Sequence, residues 1–347
     1  MRLKADLRLV AWELTKRCNL NCIHCRAYAQ DEEIKDEYNT ERCKEILEQV
    51  SEVSKPIVIL SGGEPLLRDD IYEIASYGSF LGMRMVLATN GTFINSDVVK
   101  RLKRSGIKRV SISIDGATSQ SHDSFRKVEG AFERAVEGIR YLREGGMEFQ
   151  INTTITKINM EEMEDIVRLA LDLSASALHI FFLVPVGRAK EMQDGSMSPD
   201  EYEIVLNRFY ELKDMVPLHL KATCAPQFYR ILRQREEEKG RKVEFKTHGL
   251  DAISRGCLAG ISFCFISHIG VIQPCGYLEV ECGTLNQNSF KEIWDESSVF
   301  KDLRDLSKYK GKCGRCRYIR FCGGCRARAY EKSGDYLSEE PLCLYNP

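Results

Sequence analysis

The chain has 347 residues, of which 43% are hydrophobic and 29% charged, with a formal net charge of −1. This composition excludes wholesale disorder, and the balanced charge gives no overall field for nucleic acid. No run approaches the ~18 apolar residues of a membrane span, and the first residues lack an apolar signal segment, so we expect a cytoplasmic protein. Clustered cysteines in that compartment indicate metal binding or catalysis rather than disulfides.

Short apolar runs alternate with segments of helical periodicity over the first 215 residues. The predicted strands are Arg8–Leu14, Ile57–Leu60, Met83–Ala88, Arg109–Ile114, Phe149–Thr154 and Leu178–Val184. The predicted helices cover about 40–53, 69–80, 95–105, 131–144, 160–174 and 199–214. Such alternation predicts an α/β fold with a parallel sheet buried on both faces. Six units are too few for a closed eight-fold barrel, so we predict a partial barrel, with an open doubly wound sheet as the alternative.

Five of the six predicted strands are followed by polar or glycine-rich loops, which packing alone explains poorly. In chain order these loops read TKRCNLNCIHC, SGGEPLL, TNGT, DGATSQSHDSFR and PVGR. Catalytic residues of barrels gather at the carboxyl ends of the strands. The sequence therefore predicts an active site at this end of the sheet.

The fourteen cysteines form two groups. Cys18, Cys22 and Cys25 share the first loop, nine cysteines follow residue 250, and Cys43 and Cys224 stand between the groups. Three thiolates on one loop can hold a [4Fe–4S] cluster and leave its fourth iron open to a chelating molecule. The alternatives are three unrelated buried thiols or a zinc site, which a neighbouring histidine could complete only with poor geometry.

The Cys-x3-Cys-x2-Cys loop, followed by the Gly-Gly-Glu-Pro run within Ser61–Pro65, resembles the radical S-adenosylmethionine (SAM) superfamily over the first 215 residues. The resemblance implies a partial (β/α)6 TIM-like barrel in which one electron from a [4Fe–4S] cluster cleaves SAM. The products are methionine and a 5′-deoxyadenosyl radical, which takes hydrogen from the substrate. The implied cluster ligands are Cys18, Cys22 and Cys25.

The same resemblance implies a set of positions that contact SAM. They are His24, Gly62, Gly63, Glu64, Ser113, Asp115, Arg126, Leu183 and Val184. Gly62, Gly63 and Glu64 match the motif for the methionine ammonium, because glycine permits close approach and a carboxylate accepts its protons. Ser113 and Asp115 correspond to ribose contacts. Arg126 corresponds to the partner of the SAM carboxylate, and His24, Leu183 and Val184 to residues near adenine. The Ser-Ile-Asp-Gly run can equally be a strand that ends in an Asx turn.

The C-terminal cysteines resemble the SPASM extension, which carries auxiliary iron–sulfur clusters. Their spacing is Cys257-x12-Gly270-x4-Cys275, then Cys313-x2-Cys316-x5-Cys322-x2-Cys325, then Cys343. The last close pair is separated by two residues instead of the usual three. The number of auxiliary clusters, one or two, therefore stays undecided.

If two clusters exist, the resemblance implies one ligand set at Cys313, Cys316, Cys322 and Cys343. The other set would be Cys257, Cys275, Cys325 and, less directly, Cys264. A zinc ribbon is the alternative, although the gap of five residues is far short of its ~15–20. We expect two domains, a barrel over 1–220 and an iron–sulfur domain over 221–347.

Four C-terminal stretches resemble the heme-biosynthetic branch of the superfamily. They are TCAPQFYRILRQRE, THGLDAISRGCLAG, CGYLEVECG and CGGCRARAYEKSGDYLSEEPLCLY. The overall run most resembles heme b synthases of the siroheme-dependent pathway, which implies oxidative decarboxylation of two propionates of Fe-coproporphyrin III to vinyl groups. The implied partners are an iron porphyrin substrate and an electron donor such as ferredoxin or flavodoxin. The alternatives are a didecarboxysiroheme deacetylase, a relative in heme d1 assembly, a radical SAM peptide maturase and a non-catalytic iron–sulfur electron carrier.

A tetracarboxylate substrate favours arginine partners, and its iron favours a histidine ligand. The arginine candidates are Arg188, Arg230, Arg326 and Arg328, and the histidine candidates are His179, His219, His248 and His268. Each of them could equally serve the fold alone. We expect Cys43 and Cys224 to be buried thiols.

Overall fold

The computed structural model describes residues 1–192 and 195–347. Within them, ten strands form one sheet in the order β10-β9-β8-β1-β2-β3-β4-β5-β6-β7. The strands are β1 (Leu9–Glu13), β2 (Ile57–Ser61), β3 (Arg84–Thr89), β4 (Val110–Ser113), β5 (Phe149–Ile155), β6 (Ala177–Phe182), β7 (His219–Thr223), β8 (Phe263–Ile266), β9 (Val271–Gln273) and β10 (Gly283–Thr284).

Most helices alternate with these strands or follow the last of them. They are α1 (Thr40–Val53), α2 (Ile71–Phe80), α3 (Ser96–Arg104), α4 (Ser119–Arg126), α5 (Ala131–Glu144), α6 (Met163–Asp172), α7 (Pro199–Met215), α8 (Phe228–Glu238), α9 (Phe245–His248), α10 (Leu250–Ile253), α11 (Phe290–Glu296), α12 (Ser298–Arg304), α13 (Gly311–Arg315) and α14 (Arg326–Ser333). Among the described residues, no helix has the length and apolar character needed to cross a membrane.

Strands β1 to β6 confirm the six predicted strands and run parallel in chain order. A doubly wound sheet would reverse its strand order at a switch point, whereas β1 to β7 continue in one direction. This order is that of a barrel wall, and the two ends of the sheet remain apart, so the prediction of a partial barrel is confirmed. The sequence missed β7, which pairs in parallel with β6.

Alternate residues of each strand divide between the helical layer and the barrel interior. In β6, Leu178, Ile180 and Phe182 belong to the main apolar core, while His179 and Phe181 point to the opposite face. The helices cover the first face with apolar stripes, and α1 contributes the fully buried Cys43 to it. Cys43 is thus the buried thiol that the sequence predicts.

The C-terminal region continues the same sheet. Strand β8 pairs in parallel with β1, so that Val10 lies opposite Cys264. Strands β9 and β10 then add antiparallel. Strand β7 crosses the position 220/221 at which the sequence places the domain boundary, and the division into two domains stays a prediction.

Candidate active site and cluster sites

The three cysteines of the first loop lie just beyond the carboxyl end of β1. Cys18 and Cys22 are buried and Cys25 is half-buried. Each sulfur accepts a hydrogen bond, from the Leu20 amide, Arg126 Nη1 and the Ala29 amide respectively, all at 3.4 Å. Such N–H donors stabilise negative charge on sulfur.

Burial affects the protonation of two of these thiols, Cys18 and Cys22. It raises the pKa of Cys18 to about 12 and the pKa of Cys22 above its ordinary value. Free thiols at Cys18 and Cys22 would therefore stay protonated, and their thiolates need a bound metal in place of the proton. The donor set fits an iron–sulfur cluster held by Cys18, Cys22 and Cys25.

The glycine loop after β2 packs against the cysteine loop. The Gly63 amide donates to the Thr15 carbonyl at 2.7 Å, and the Glu64 amide donates to the Arg17 carbonyl at 2.8 Å. A Cβ atom added at Gly62 would lie 2.3 Å from the Thr15 carbonyl oxygen, and one at Gly63 would lie 2.3 Å from that of Arg17. Close approach of the two loops therefore requires both glycines.

The Glu64 carboxylate is fully buried among protein donors. It accepts hydrogen bonds from the Thr89 hydroxyl at 2.7 Å, the Asn90 amide at 2.8 Å and the Leu66 amide at 3.1 Å. Burial raises the pKa of Glu64 to about 7, although these bonds oppose the rise. Glu64 thus ties the end of β3 to the glycine loop, a role that the sequence did not reveal.

Two side chains from different elements contact Asp115, which lies just after the end of β4. Arg126 Nη2 lies 2.6 Å from Asp115 Oδ2, and His24 Nε2 lies 3.3 Å from the same oxygen. Burial lowers the pKa of His24 to about 4, so the ring is neutral at pH 7. Arg126 also donates to Cys22, which makes one guanidinium the link between the cysteine loop and Asp115.

Some polar atoms at this edge of the sheet can still form hydrogen bonds. His24 Nδ1, Arg126 Nε and Arg188 Nη2 are buried and have no hydrogen-bond partner among the described residues. Buried donors and acceptors without partners are costly, which fits a polar ligand that satisfies them. The carboxylate, ammonium and ribose groups of SAM have this chemistry.

The remaining positions predicted for SAM also lie at strand ends. Ser113 is the last residue of β4 and is partly exposed, and Leu183 follows β6 with similar exposure. Val184 is buried and packs with Leu278 and Cys325 of the C-terminal region. The structure therefore brings these positions to one edge of the sheet, with Val184 between the barrel and the C-terminal cysteines.

Arg188 supports the cysteine loop through its backbone contacts. Its Nε donates to the Cys22 carbonyl at 2.8 Å and its Nη1 to the Ala29 carbonyl at 2.9 Å. The preceding Gly187 has a φ of 56°, and a Cβ atom there would lie 2.3 Å from the Arg26 carbonyl oxygen. Arg188 thus positions the loop, and its Nη2 can donate a hydrogen bond to a ligand.

A buried ion pair lies beside the cysteine loop and was missed by sequence reasoning. Arg26 pairs with Glu13 of β1, and its Nη1 donates to the Gly276 carbonyl at 3.3 Å. His268 Nδ1 lies 3.0 Å from the other Glu13 oxygen. A glutamate in an otherwise apolar strand was the available signal, because buried carboxylates require partners. Arg26 connects the loop of Cys25 to the C-terminal region.

Four C-terminal cysteines line one pocket. They are Cys313, Cys316, Cys322 and Cys343. The Glu340 amide donates to Cys313 at 3.4 Å, and the Gly324 amide donates to Cys322 at 3.4 Å. This set is the first ligand set implied by the SPASM resemblance, and its thiols and donors fit an iron–sulfur cluster.

The structure brings together only some of the cysteines in the second implied ligand set. Cys275 and Cys325 pack in one apolar cluster with Val184, and Cys224 joins them there. Cys264 lies elsewhere, on the core face of β8, where burial and the nearby Cys282 raise its pKa. The structure thus separates Cys264 from the cysteines with which the sequence grouped it.

The arginines proposed for substrate carboxylates are engaged inside the protein. Arg230 pairs with Glu203, and Arg328 pairs with Glu340 at 2.7 Å. Arg326 is 1% exposed and donates to backbone carbonyls that include Ser338 at 2.7 Å. These three arginines therefore serve the fold.

The candidate axial histidines also have protein partners. His179 Nδ1 lies 3.1 Å from Gln150, and His248 Nε2 lies 3.4 Å from Glu236. His219 follows on β7, with its ring 6.3 Å from that of His179. His268 has the Glu13 contact described above. None of these four contacts marks a histidine as the ligand of the porphyrin iron.

Comparisons with known proteins identify the family of the chain. Residues 12–170 match the Radical SAM superfamily, and residues 257–325 match SPASM, an iron–sulfur cluster-binding domain. The chain is 50% identical to the AdoMet-dependent heme synthase of Nitratidesulfovibrio vulgaris, over 98% of this chain and 93% of that protein. It is 30% identical to the Fe-coproporphyrin III synthase of Methanosarcina barkeri, over 96% of this chain and 87% of that protein.

The fold agrees with a solved structure at low sequence identity. Streptococcus suis SuiB bound to S-adenosylmethionine superposes with a TM-score of 0.76 at 18% identity, covering 98% of this chain and 78% of that one. This likeness concerns the fold alone. The chain therefore belongs to the radical SAM enzymes with a C-terminal SPASM domain, in the family of the AdoMet-dependent heme synthases, with SAM and [4Fe–4S] clusters as cofactors.

Proposed function

We propose that the enzyme converts two propionates of Fe-coproporphyrin III into the vinyl groups of heme b. The supporting observation is the 50% identity to an AdoMet-dependent heme synthase over nearly the whole chain, against 30% to an Fe-coproporphyrin III synthase. Fe-coproporphyrin III and heme b differ in two side chains, propionates in the first and vinyl groups in the second, and hydrogen abstraction by a 5′-deoxyadenosyl radical can start this conversion.

We assign the SAM-binding cluster to Cys18, Cys22 and Cys25. When bound, SAM and this cluster supply a 5′-deoxyadenosyl radical that takes a hydrogen atom from the substrate. Arg126 is placed to meet a carboxylate while it holds Asp115, and neutral His24 presents an unpaired ring nitrogen beside them. Burial of these groups keeps water away from the reacting atoms.

The proposed reaction balances for each propionate. Loss of a hydrogen atom from the carbon next to the ring leaves a substrate radical beside the CH2–carboxylate bond. Cleavage of that bond gives a vinyl group and CO2 and releases one electron. The second step therefore needs an electron acceptor close to the porphyrin.

An auxiliary cluster in the C-terminal region would be such an acceptor. Arg26 follows Cys25 directly and donates to Gly276, the neighbour of Cys275. The two cysteine regions thus meet at this guanidinium, and we place the porphyrin edge near it. The electron that starts SAM cleavage would come from a donor such as ferredoxin or flavodoxin.

The test uses anaerobically reconstituted enzyme with SAM, dithionite and Fe-coproporphyrin III. We expect 5′-deoxyadenosine, together with a porphyrin product that has lost two CO2 units and four hydrogens by mass spectrometry. The Cys22→Ala variant should form neither product, whereas Cys43→Ala, a buried cysteine away from the site, should retain both.

The alternatives give other outcomes in the same assay. If didecarboxysiroheme loses acetate groups while Fe-coproporphyrin III stays unchanged, the enzyme is a deacetylase and the proposal is wrong. A 5′-deoxyadenosine signal that no porphyrin increases would point to a peptide maturase. Absence of 5′-deoxyadenosine in a preparation with its full iron content would leave an electron carrier.

A further inference from the structure

The side chains that point into the barrel are less buried than their neighbours on the same strands. Ala11 of β1, Ile59 of β2 and His179 of β6 are half-buried, whereas the residues on either side of each are buried against the helices. Packed protein interiors leave little free space, so partial exposure in the middle of a strand means that the inside of the barrel is accessible. A ligand can therefore reach these inner faces.

One part of this interior is apolar and another is polar. Ala11 pairs with Ile59 on one side and with Phe265 of β8 on the other, so the three apolar side chains share the inner face. On the polar part, His179 pairs with Lys221 of β7. A porphyrin has the same division, since its ring is flat and apolar and its carboxylates lie at the rim.

Lys221 has no anionic partner of its own. It is half-buried and forms no salt bridge with a described residue. Asp251 is the acid whose charge acts on it, but Asp251 pairs with Lys213 at 2.7 Å. Burial lowers the pKa of Lys221, which means that its charge is poorly solvated. A ligand carboxylate would offset that cost.

The hydrogen bonds of Gln150 fix the tautomer of His179. Gln150 Oε1 accepts from Arg109 Nη1 at 3.2 Å, so Gln150 Nε2 is a donor. This nitrogen contacts Asn152 Oδ1 at 2.8 Å and His179 Nδ1 at 3.1 Å. Because burial lowers the pKa of His179 to about 3, its ring is neutral at pH 7. Nδ1 therefore accepts a hydrogen bond, and Nε2 carries the proton without an acceptor among the described residues.

A third donor continues this row toward the SAM site. Thr223 lies two residues after Lys221 on the same face of β7, and its Oγ1 is buried without a partner among the described residues. Strand β7 ends at Thr223, at the edge where the cysteine and glycine loops gather. A strand rises about 3.3 Å per residue, so Lys221 lies about 7 Å deeper in the barrel than this edge.

We propose that Lys221 and His179 bind the two propionates that the product heme b retains, an inference that rests on the proposed function. The two reacting propionates have to lie near the SAM site, and the retained pair is on the other half of the macrocycle. The depth of Lys221 suits this second pair. Held there, the substrate presents a reacting side chain to the edge of the sheet, while its ring packs on the apolar part of the interior.

The test measures binding of Fe-coproporphyrin III and of heme b to the anaerobically reconstituted full-length enzyme, by titration of the porphyrin absorbance. We expect Lys221→Ala to weaken binding of both porphyrins about 10- to 100-fold, as for a lost hydrogen bond to a charged group. Lys221→Arg keeps the charge and should lose less. His179→Leu removes a neutral donor and should weaken both about 3- to 10-fold. Lys100→Ala, at an exposed lysine of α3, should bind like wild type.

Three results would count against the proposal, with circular dichroism and iron content as checks on each variant. If Lys221→Ala weakens binding of Fe-coproporphyrin III but not of heme b, Lys221 contacts a reacting propionate and the assignment to the retained pair is wrong. If folded Lys221→Ala binds both porphyrins as wild type does, the carboxylates bind elsewhere. Both results leave the proposed function intact, whereas a wild-type enzyme that binds neither porphyrin would overturn that function as well.

Discussion

The guanidinium of Arg126 contacts two partners: it lies against Asp115 and donates a hydrogen bond to Cys22. Lysine keeps the charge but presents one point donor, so Arg126→Lys cannot serve both partners. A lost hydrogen bond to a charged group costs about 1.5–3 kcal/mol, so we expect roughly a 10- to 100-fold rise in the KM for SAM. The assay is 5′-deoxyadenosine formation against SAM concentration. Arg134→Lys, at an exposed arginine, should leave the KM unchanged; a rise in both would contradict the assignment.

Gly63 determines how closely two loops approach. In Gly63→Ala the new methyl group would collide with the Arg17 carbonyl at 2.3 Å, which would push the cysteine loop outward. We expect loss of about four irons per chain, the content of one cluster. Gly82→Ala is the control, because its Cβ atom meets nothing within 4 Å and only its φ of 83° is strained. Full iron content in Gly63→Ala would refute this role.

Residue types predicted the chemistry better than they predicted the contacts. The spacing of Cys18, Cys22 and Cys25 was sufficient to suggest a cluster, because few other sites use three thiols on one loop. The internal donors of Glu64 and the backbone contacts of Arg188 could not be read from sequence, since both depend on how distant loops pack. Cys264 was grouped by its spacing, but the alternation of β8 turns it toward the core.

At the scale of elements, periodicity predicted the strands and helices that alternate regularly. The helix over 40–53 matches α1, and the six apolar runs match β1 to β6 within a few residues. Strand β7 was missed because HLKAT carries two ionisable side chains on the face toward the barrel interior. Helix α4 was missed because its sequence, SQSHDSFR, is polar and reads as a loop.

The inner face of β6 and the helix α4 each hold a histidine that burial keeps neutral. Burial lowers the pKa of His179 to about 3 and that of His122 to about 4. An unfolded histidine titrates near 6.5, so the unfolded chain binds more protons below that pH. We expect the urea midpoint to fall as pH decreases from about 6.5 toward 4. His179→Gln should flatten this slope; an unchanged slope would mean that His179 does not contribute.

At the scale of the whole molecule, the sheet joins regions that the sequence divides. Because β8 pairs with β1, we expect the barrel and the C-terminal region to unfold together. The chain has two tryptophans, Trp12 in β1 and Trp294 in α11, and both are buried. The variants Trp12→Phe and Trp294→Phe each leave one reporter, and their fluorescence midpoints in urea should coincide. Two separated midpoints would instead indicate independent domains.

The pairing of β1 with β8 also bears on how the enzyme is made. A ribosome delivers β1 about 250 residues before β8, so one edge of β1 stays unpaired during most of synthesis. During that interval the loop of Cys18 lacks the contacts that Arg26 later makes with Gly276. We expect delivery of the iron–sulfur cluster to the loop of Cys18 to be easiest before β8 emerges from the ribosome. The order of translation would then affect how the enzyme acquires its cluster.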